Sequence, residues 1–212
     1  MNKNSNLDVK SSYRIDKLFP DTLYITNNVC DHLLVPLEES AKKIAEEKKT
    51  NRFSNFWVDS TALTAGGEIK NIPPFDILSE YIEFHAWNYL KELGYSRGQL
   101  KINTMWFNIS NEGDFLFPHS HPGSFLSGVY YVKCPHDSVI QFYDSNRLTS
   151  NILDPDTQNN PLSQTAATYR CTPGSMIIWL SNFIHGNPRQ MCVGEKIAVS
   201  FNIDIIRNTN SK

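Results

Sequence analysis

The sequence predicts a mainly β fold with flanking helices, built as an antiparallel sandwich or barrel. Two stretches with helical spacing lie in the N-terminal half, and six strand-like segments follow Gly98. Turn residues separate these segments, and the last segment alternates between apolar and polar side chains. Strands that follow one another so closely pair most simply as antiparallel neighbours, with the helices covering one outer face.

Length and composition are those of a single globular domain. The 212 residues are enough for one substantial core, and 40% of them are hydrophobic. A formal net charge of −2 gives no reason to expect nucleic-acid binding, and no apolar stretch approaches the roughly 18 residues that span a membrane. The first residues lack an apolar targeting segment and the four cysteines form no CxxC pair. We therefore expect a cytoplasmic protein with reduced thiols.

The N-terminal region, residues 13–98, is expected to support the barrel as part of the same domain. Residues 1–12 before it are polar and are expected to form a flexible tail. Residues 22–26 have strand character, and apolar side chains then recur at helical spacing from Leu33 to Ala45.

A second helix is predicted between Pro73-Pro74 and Gly94. Proline is favoured in the first turn of a helix, and glycine is favoured just after its end. His85 falls within this helix, and we expect it to have a structural role. Residues 50–73, which precede the helix, include Gly66-Gly67 and are expected to be irregular.

The strand-like segments of residues 99–207 are the basis of the predicted barrel. They are Lys101–Ser110, Ser127–Lys133, Ser138–Tyr143, Ala167–Cys171, Met176–Leu180 and Lys196–Ile205. A polar stretch, residues 145–165, interrupts them. A loop of about 20 residues is uncommon in a compact domain, so it is either a functional lid or a disordered segment.

The last predicted strand has two different faces. They are Ile197, Val199, Phe201, Ile203 and Ile205 on one side and Lys196, Ala198, Ser200, Asn202 and Asp204 on the other. The apolar face would pack against the helices, and the second face would line the inside of the barrel. Lys196, Ser200 and Asn202 would there be suited to bind an anion. A solvent-exposed edge strand is the alternative.

Three histidines are the candidate metal ligands. His119 and His121 are two residues apart just ahead of a strand-like run, and His185 follows 64 residues after His121, directly after another strand-like run. Side chains at i and i+2 of a strand share a face, so the HxH pair can present two imidazoles to one ion. Three unrelated structural histidines are the alternative at this point.

A series of motifs runs in order through the C-terminal half of the chain. They are Trp106-Phe107-Asn108, Gly113, His119-Ser120-His121-Pro122, Leu126-Ser127-Gly128-Val129-Tyr130-Tyr131, Pro173-Gly174, His185 and Lys196-Ile197-Ala198-Val199-Ser200-Phe201-Asn202. In this order and at these spacings the chain resembles the 2-oxoglutarate/Fe(II)-dependent oxygenase superfamily, in its prolyl-hydroxylase-like branch. More closely, it resembles a group of bacterial and phage oxygenases that carry the H-x-H-P and S-F-N motifs.

This resemblance implies a double-stranded β-helix, a jelly-roll or cupin-like barrel, over residues 99–207. It implies His119 and His185 as ligands of Fe(II), with 2-oxoglutarate as co-substrate and ascorbate as an optional further cofactor. The activity implied is hydroxylation of a small-molecule or peptide substrate, with release of succinate and CO2. Residues 145–165 and Trp57 are the expected contributors to substrate specificity.

The resemblance also implies a binding site for the co-substrate. Lys196 occupies the place of the basic residue that pairs with the distal carboxylate of 2-oxoglutarate. Ser200 and Tyr131 match hydroxyl-bearing positions that help to hold that carboxylate, and Asn108 lies on a strand near the same mouth of the barrel. A dicarboxylate that enters a barrel needs a fixed cation and neutral donors around it.

Two positions depart from the superfamily pattern. His121 stands where relatives carry a carboxylate, so the third ligand is either His121 or an oxygen of Asp144. Lys196 stands where the close group commonly has arginine, and it offers a point charge in place of a bidentate fork. Arg189 is the alternative cation. Because of the first departure, two other functions stay open: a three-histidine cupin-like dioxygenase that needs no 2-oxoglutarate, and a non-catalytic barrel that binds a metal or small ligand.

Overall fold

A computed structural model describes residue 14 and residues 21–47, 57–58, 62–67, 69–96, 98–144 and 164–206. The predictions for residues 1–12, for residues 145–163 and for the side chain of Trp57 lie outside the described residues. Two α-helices are present in the described chain, α1 (Leu34–Glu47) and α2 (Phe75–Glu92). Both predicted helices are therefore confirmed, and Gly94 follows α2 with the positive φ of 84° expected of a helix-terminating glycine.

The described strands are numbered here in chain order. They are β1 (Leu23–Thr26), β2 (Trp57–Val58), β3 (Leu63–Gly67), β4 (Gln99–Ser110), β5 (Phe115–His119), β6 (Leu126–Lys133), β7 (Val139–Tyr143), β8 (Ala166–Arg170), β9 (Met176–Leu180), β10 (Ile184–Asn187) and β11 (Lys196–Ile206). All six predicted strands of the C-terminal half occur among them, with ends within one or two residues of the predicted ones.

Two antiparallel sheets face each other and form the double-stranded β-helix that the resemblance implied. The larger sheet has the strand order β1-β9-β6-β11-β4-β3, and the smaller has the order β2-β5-β10-β7-β8. Strands that are consecutive in the chain often lie in different sheets, as β5 and β6 do. The chain thus passes back and forth between the sheets, and the two mainly antiparallel layers enclose an interior between them.

The helices cover the outer face of the larger sheet. Buried side chains of α1 and α2 pack against buried side chains of β4, β6 and β11 in one hydrophobic core. A second, smaller core lies between the sheets and includes Tyr131, Phe142, Trp179 and Ala198. Helices therefore shield one side of the larger sheet, and the other side is left to face the interior.

Strand β11 divides its side chains between these two cores. Ile197, Val199, Phe201 and Ile203 are completely buried on the helix side. Lys196, Ala198 and Ser200 alternate with them and line a cavity between the sheets. The predicted division of this strand into a face that packs against the helices and a face that lines the interior is confirmed, and it follows from the two-residue period of a β-strand.

Residues 50–73 are not all irregular, and that prediction is wrong. Strands β2 and β3 lie in this region as edge strands, and β3 pairs with β4 over five residues. The sequence of β3, Leu63-Thr64-Ala65-Gly66-Gly67, has weak strand propensity. Its conformation depends on the hydrogen bonds offered by the long neighbour β4, which a local sequence pattern does not show.

Candidate metal centre

The three histidines meet because two strands of the smaller sheet bring them together. His119 is the last residue of β5, and His185 lies opposite it in β10 as its registered antiparallel partner. The sequence placed His185 directly after a strand, whereas the structure places it within one. His121 follows two residues after β5, where its backbone N–H donates a 2.9 Å hydrogen bond to the Ser181 carbonyl. This hydrogen bond holds the turn after β5 in a conformation that places the His121 ring close to the other two rings.

The geometry of the cluster suits a single ion. One ligand atom from each of His119, His121 and His185 lies within 4.8 Å of the other two. The ring centroids are 4.5 Å apart for His119 and His185, 5.0 Å for His119 and His121, and 5.1 Å for His121 and His185. Three imidazoles this close form the only group of this kind among the described residues.

Hydrogen bonds to backbone carbonyls select the tautomer of two of these rings. Nδ1 of His119 donates to the Phe117 carbonyl at 2.8 Å, and Nδ1 of His185 donates to the Phe183 carbonyl at 3.0 Å. A carbonyl only accepts, so the proton of each neutral ring is on Nδ1 and the lone pair is on Nε2. This is the arrangement that orients metal-binding histidines in proteins.

Burial keeps the three rings neutral. It lowers the pKa of His119, and it lowers the pKa of His121 to about 4, with a further contribution from the charge of His119. The pKa of His185 is lowered to about 3, mainly by burial and then by His119. A metal binds the neutral imidazole, so these rings do not need to lose a proton at neutral pH before they bind.

Gly186 allows the two ligand-bearing strands to approach. A Cβ at this position would lie 2.7 Å from the Leu116 carbonyl oxygen and 3.1 Å from the Pro118 nitrogen. Both atoms belong to β5, so any side chain here would push β5 away from β10. Since Gly186 is next to His185, the distance between His185 and His119 depends on the absence of that side chain.

The histidines line a cavity of about 560 Å³ between the sheets. All seven predicted site residues line this one cavity: His119, His121, His185, Lys196, Ser200, Tyr131 and Asn108. Asp144, the alternative third ligand, and Arg189, the alternative cation, do not line this cavity. Asp144 directly follows β7. Arg189 lines a smaller cavity of about 270 Å³, and its guanidinium donates to the Gly113 carbonyl at 2.7 Å. Lys196 borders both cavities.

Lys196 is a buried cation that has no anionic partner among the described residues. Only 4% of the residue is exposed, and its side chain makes neither an ion pair nor a hydrogen bond with any of them. Its ammonium lies over the ring of Tyr131, 5.4 Å from the ring centre. A buried charge is costly unless it is paired, so a site of this kind fits an anionic ligand.

Polar side chains on three neighbouring strands extend the site from Lys196. Thr64 of β3 donates to Asn108 Oδ1 at 2.7 Å, and Asn108 Nδ2 donates to Ser200 Oγ at 3.3 Å. Ser200 therefore accepts from the protein, and its own hydroxyl proton is available to a ligand. Thr64 was not predicted, because it lies in the stretch that was expected to be irregular.

Tyr131 contributes its ring to the site. The residue is almost fully buried, and burial together with the neighbouring thiol of Cys171 raises the pKa of its hydroxyl. The hydroxyl is thus associated with the cysteine, while the ring supports the Lys196 ammonium. The resemblance pointed to Tyr131 for its hydroxyl, and the neighbour of each part of the side chain required the structure.

Two tryptophans next to the histidines were not predicted as site residues. The ring of Trp106 lies 5.6 Å from that of His121, and the ring of Trp179 lies 4.6 Å from that of His185. Trp179 Nε1 is buried and has no acceptor among the described residues. Trp106 could have been predicted from the sequence, because it lies two residues before Asn108 and therefore on the same face of β4. Trp179 could not, because it lies in an apolar run that has no distinguishing pattern.

The donor set fits a divalent transition metal. Neutral imidazole nitrogens are ligands for iron, nickel, copper and zinc, and a cluster of three leaves positions for other molecules to bind. The unpaired Lys196 in the same cavity fits a carboxylate-bearing ligand. A metal site with three protein ligands and open positions inside a double-stranded β-helix is typical of non-haem metal-dependent oxygenases, in which the third ligand is most often a carboxylate.

Comparison with a protein family agrees with that class. Residues 104–202 match the family described as "Putative 2OG-Fe(II) oxygenase". Over this part of the chain the protein is similar to the 2-oxoglutarate- and iron-dependent oxygenases, the superfamily that the sequence motifs indicated. No curated protein matches the sequence significantly.

Solved structures share the fold at low sequence identity. A prolyl-4-hydroxylase from Pseudomonas putida has a TM-score of 0.62 and 12% identity, over 89% of this chain and 94% of that one. HygX from Streptomyces hygroscopicus, with nickel and 2-oxoglutarate bound, has a TM-score of 0.61 and 10% identity, over 87% and 82%. The viral collagen prolyl hydroxylase of Paramecium bursaria Chlorella virus-1 has a TM-score of 0.54 and 12% identity, over 85% and 94%. These similarities support the double-stranded β-helix.

Neither described helix is long and apolar enough to cross a bilayer.

Proposed function

We propose that this oxygenase binds Fe(II) through His119, His121 and His185, and that it binds 2-oxoglutarate through Lys196 and Ser200. The observation that carries the proposal is the pairing of two features in one cavity: a cluster of three neutral imidazoles and a buried ammonium without a counter-ion. HygX, which shares the fold, binds nickel and 2-oxoglutarate. The substrate is a small molecule or a peptide.

When bound, Fe(II) and 2-oxoglutarate supply the oxidising chemistry, in which one O2 converts a substrate C–H group to C–OH and 2-oxoglutarate to succinate and CO2. The barrel supplies binding and orientation for this chemistry. We assign the three metal-binding positions to the ring nitrogens that carry lone pairs, Nε2 for His119 and His185.

The residues around Lys196 hold the distal carboxylate of the co-substrate. The Lys196 ammonium supplies the positive charge, and Ser200 donates its hydroxyl proton, which the hydrogen bond from Asn108 leaves available. The face of the Tyr131 ring lies against the ammonium in a cation–π contact. Apolar residues such as Val129, Ile140 and Ala198 form the rest of this wall and exclude water, which strengthens the charge–charge attraction.

One titration tests the function as a whole. Under anaerobic conditions the Fe(II)-loaded protein is titrated with 2-oxoglutarate and followed for a visible charge-transfer band, after which O2 is admitted and succinate is assayed. The proposal requires both the band and succinate. A bound metal that gives no band would support a dioxygenase independent of 2-oxoglutarate, and a protein that takes up no metal would support a non-catalytic barrel.

A cytoplasmic location agrees with the state of the cysteines. Cys30, Cys134, Cys171 and Cys192 are all free thiols in the structure. Free thiols persist in reducing compartments. Thiol titration of freshly extracted protein should therefore find all four reduced, and a disulfide would contradict this assignment.

A further inference from the structure

The cavity that contains the histidines has no acidic side chain in its described wall. Its lining includes Lys196 but no aspartate and no glutamate from the described ranges. Imidazoles are neutral when they bind a metal, so the described protein supplies no negative charge that would balance a divalent ion there. The charge of the site is therefore set by what binds in it.

With the co-substrate in place, one positive charge remains. A divalent ion and the Lys196 ammonium together carry three positive charges, and 2-oxoglutarate carries two negative ones. The remaining charge would lie in a cavity whose walls are largely apolar and poorly screened. An uncompensated charge in such surroundings attracts an anion more strongly than it would in water.

Two indole rings also line the wall of this cavity. Trp106 lines the cavity with its ring 5.6 Å from His121, and the described residues provide no acceptor for its indole N–H. The indole N–H of Trp179, beside His185, is likewise without an acceptor in the described part of the chain. An indole nitrogen can only donate. Trp179 Nε1 is buried, so it is the N–H of Trp106 that favours a ligand with a hydrogen-bond acceptor.

We propose that the molecule oxidised in this cavity is an organic acid, and that its carboxylate binds beside His121 and Trp106. This inference rests on the proposed function, since the residual positive charge arises only with metal and 2-oxoglutarate bound. It adds the substrate class, which neither the fold nor the family supplies. Trp106 is then a substrate-binding residue whose N–H donates to the carboxylate.

A pair of probes with the same shape and different charge tests the inference. Wild-type protein is loaded with Ni(II) and saturating 2-oxoglutarate, and is then titrated calorimetrically with benzoate and, separately, with benzamide. Benzoate is expected to bind at least about tenfold more tightly, because a single charge in a weakly screened site contributes at least that much. Equal affinities, or tighter binding of benzamide, would overturn the inference.

Two further results distinguish failure of this inference from failure of the proposed function. Failure to take up Ni(II) and 2-oxoglutarate would overturn the proposed function, and the inference with it. Release of bound 2-oxoglutarate by benzoate would show that benzoate occupies the site at Lys196, which would overturn the inference while leaving the proposed function intact.

Matched variants at His121 test the charge argument directly. His121→Asp introduces a carboxylate and is expected to remove the preference for benzoate. His121→Asn has nearly the same size without the charge, and it is expected to keep the preference. Both proteins are compared at excess Ni(II) with their metal content measured, and equal preferences in the two would refute the electrostatic explanation.

A variant of Trp106, which is not a metal ligand, tests the inference independently of His121. Trp106→Phe keeps an aromatic ring beside His121 but removes the indole donor. It is expected to weaken benzoate several-fold more than benzamide, because a hydrogen bond to an ionised acceptor is the stronger of the two. Equal weakening of both probes would show that the indole contributes only packing.

Discussion

His185 and His119 are registered partners across two antiparallel strands, with ring centroids 4.5 Å apart. Their proximity is therefore a property of strand pairing and does not depend on a flexible loop. Sites built on regular elements hold their ligands more accurately than sites built on loops. The predictions below follow from this construction and from the buried lysine in the same cavity.

Replacing any one candidate ligand should impair metal binding. His119→Ala, His121→Ala and His185→Ala are each expected to lower the affinity for Fe(II) or Ni(II) by at least about a hundredfold, because two imidazoles alone make a weak site. Metal content after dialysis and calorimetry measure the effect. His136→Ala, at an exposed position, is the control, and unchanged affinity in all three cluster variants would refute the assignment.

Gly186→Ala should damage the site without touching a ligand. The added methyl group would meet the backbone of β5 and separate His119 from His185. We expect metal affinity to fall by about 10- to 100-fold, the range typical of changes that disorient ligands. Asn182→Ala, at an exposed position between β9 and β10, is the matched control. Equal metal affinity in the two variants would mean that the strands tolerate the extra atom.

Lys196→Met should have opposite effects on binding and on stability. Loss of the ammonium is expected to raise the dissociation constant of 2-oxoglutarate at least about tenfold while the metal remains bound. The metal-free variant should be as stable as the wild type or more stable, because a buried unpaired charge is replaced by an apolar side chain of similar length. Calorimetry and urea unfolding measure the two quantities.

The control for the lysine experiment is Lys101→Met, which changes an exposed lysine on β4. It should leave 2-oxoglutarate binding unchanged. A large loss of stability in Lys196→Met would contradict the description of Lys196 as an unpaired charge, since it would reveal that the ammonium makes a stabilising interaction in the empty protein.

His85 should make the stability of the metal-free protein depend on pH. Burial lowers the pKa of His85 below its ordinary value of 6.5, and the Tyr24 hydroxyl lies 2.9 Å from its Nδ1. The unfolded chain therefore takes up a proton that the folded chain resists. The contribution of His85 is complete above about pH 6.5 and is lost as the pH falls through the lowered value.

Urea unfolding at several pH values measures this contribution. The free energy of unfolding of His85→Gln should fall less steeply than that of the wild type as the pH is lowered from about 7.5 to 5. The cluster histidines contribute equally to both proteins, so the difference between the two slopes isolates His85. Identical slopes would show that partial burial does not lower the pKa of His85 in the folded protein.

Sequence patterns predicted the long strands and the inward-facing residues, because both depend on local alternation. β11 is the clearest case, since its two-residue period correctly separated Lys196 and Ser200 from the helix-facing side chains. Short strands were missed where local propensity is poor. Pro118 in β5 and Gly186 in β10 disfavour a strand prediction, and only the partner strands make these segments extended.

Distances between side chains were the part that the sequence could not supply. The resemblance singled out Tyr131, but it did not show that the ring lies against Lys196 while the hydroxyl lies by Cys171. The proximity of Trp106 to His121 is a contact between segments that are distant in the chain. Such contacts depend on how the two sheets pack together, and no local pattern encodes that packing.

The registered pair His119 and His185 also gives a bound metal a role in folding. The two residues are 66 positions apart along the chain, so an ion that joins them closes a large covalent loop through coordination bonds. The site does not exist in the unfolded chain, so binding of the ion stabilises the folded state by mass action, without an oxidising environment. The availability of metal during synthesis would then affect how much folded protein accumulates, in addition to how much of it is active.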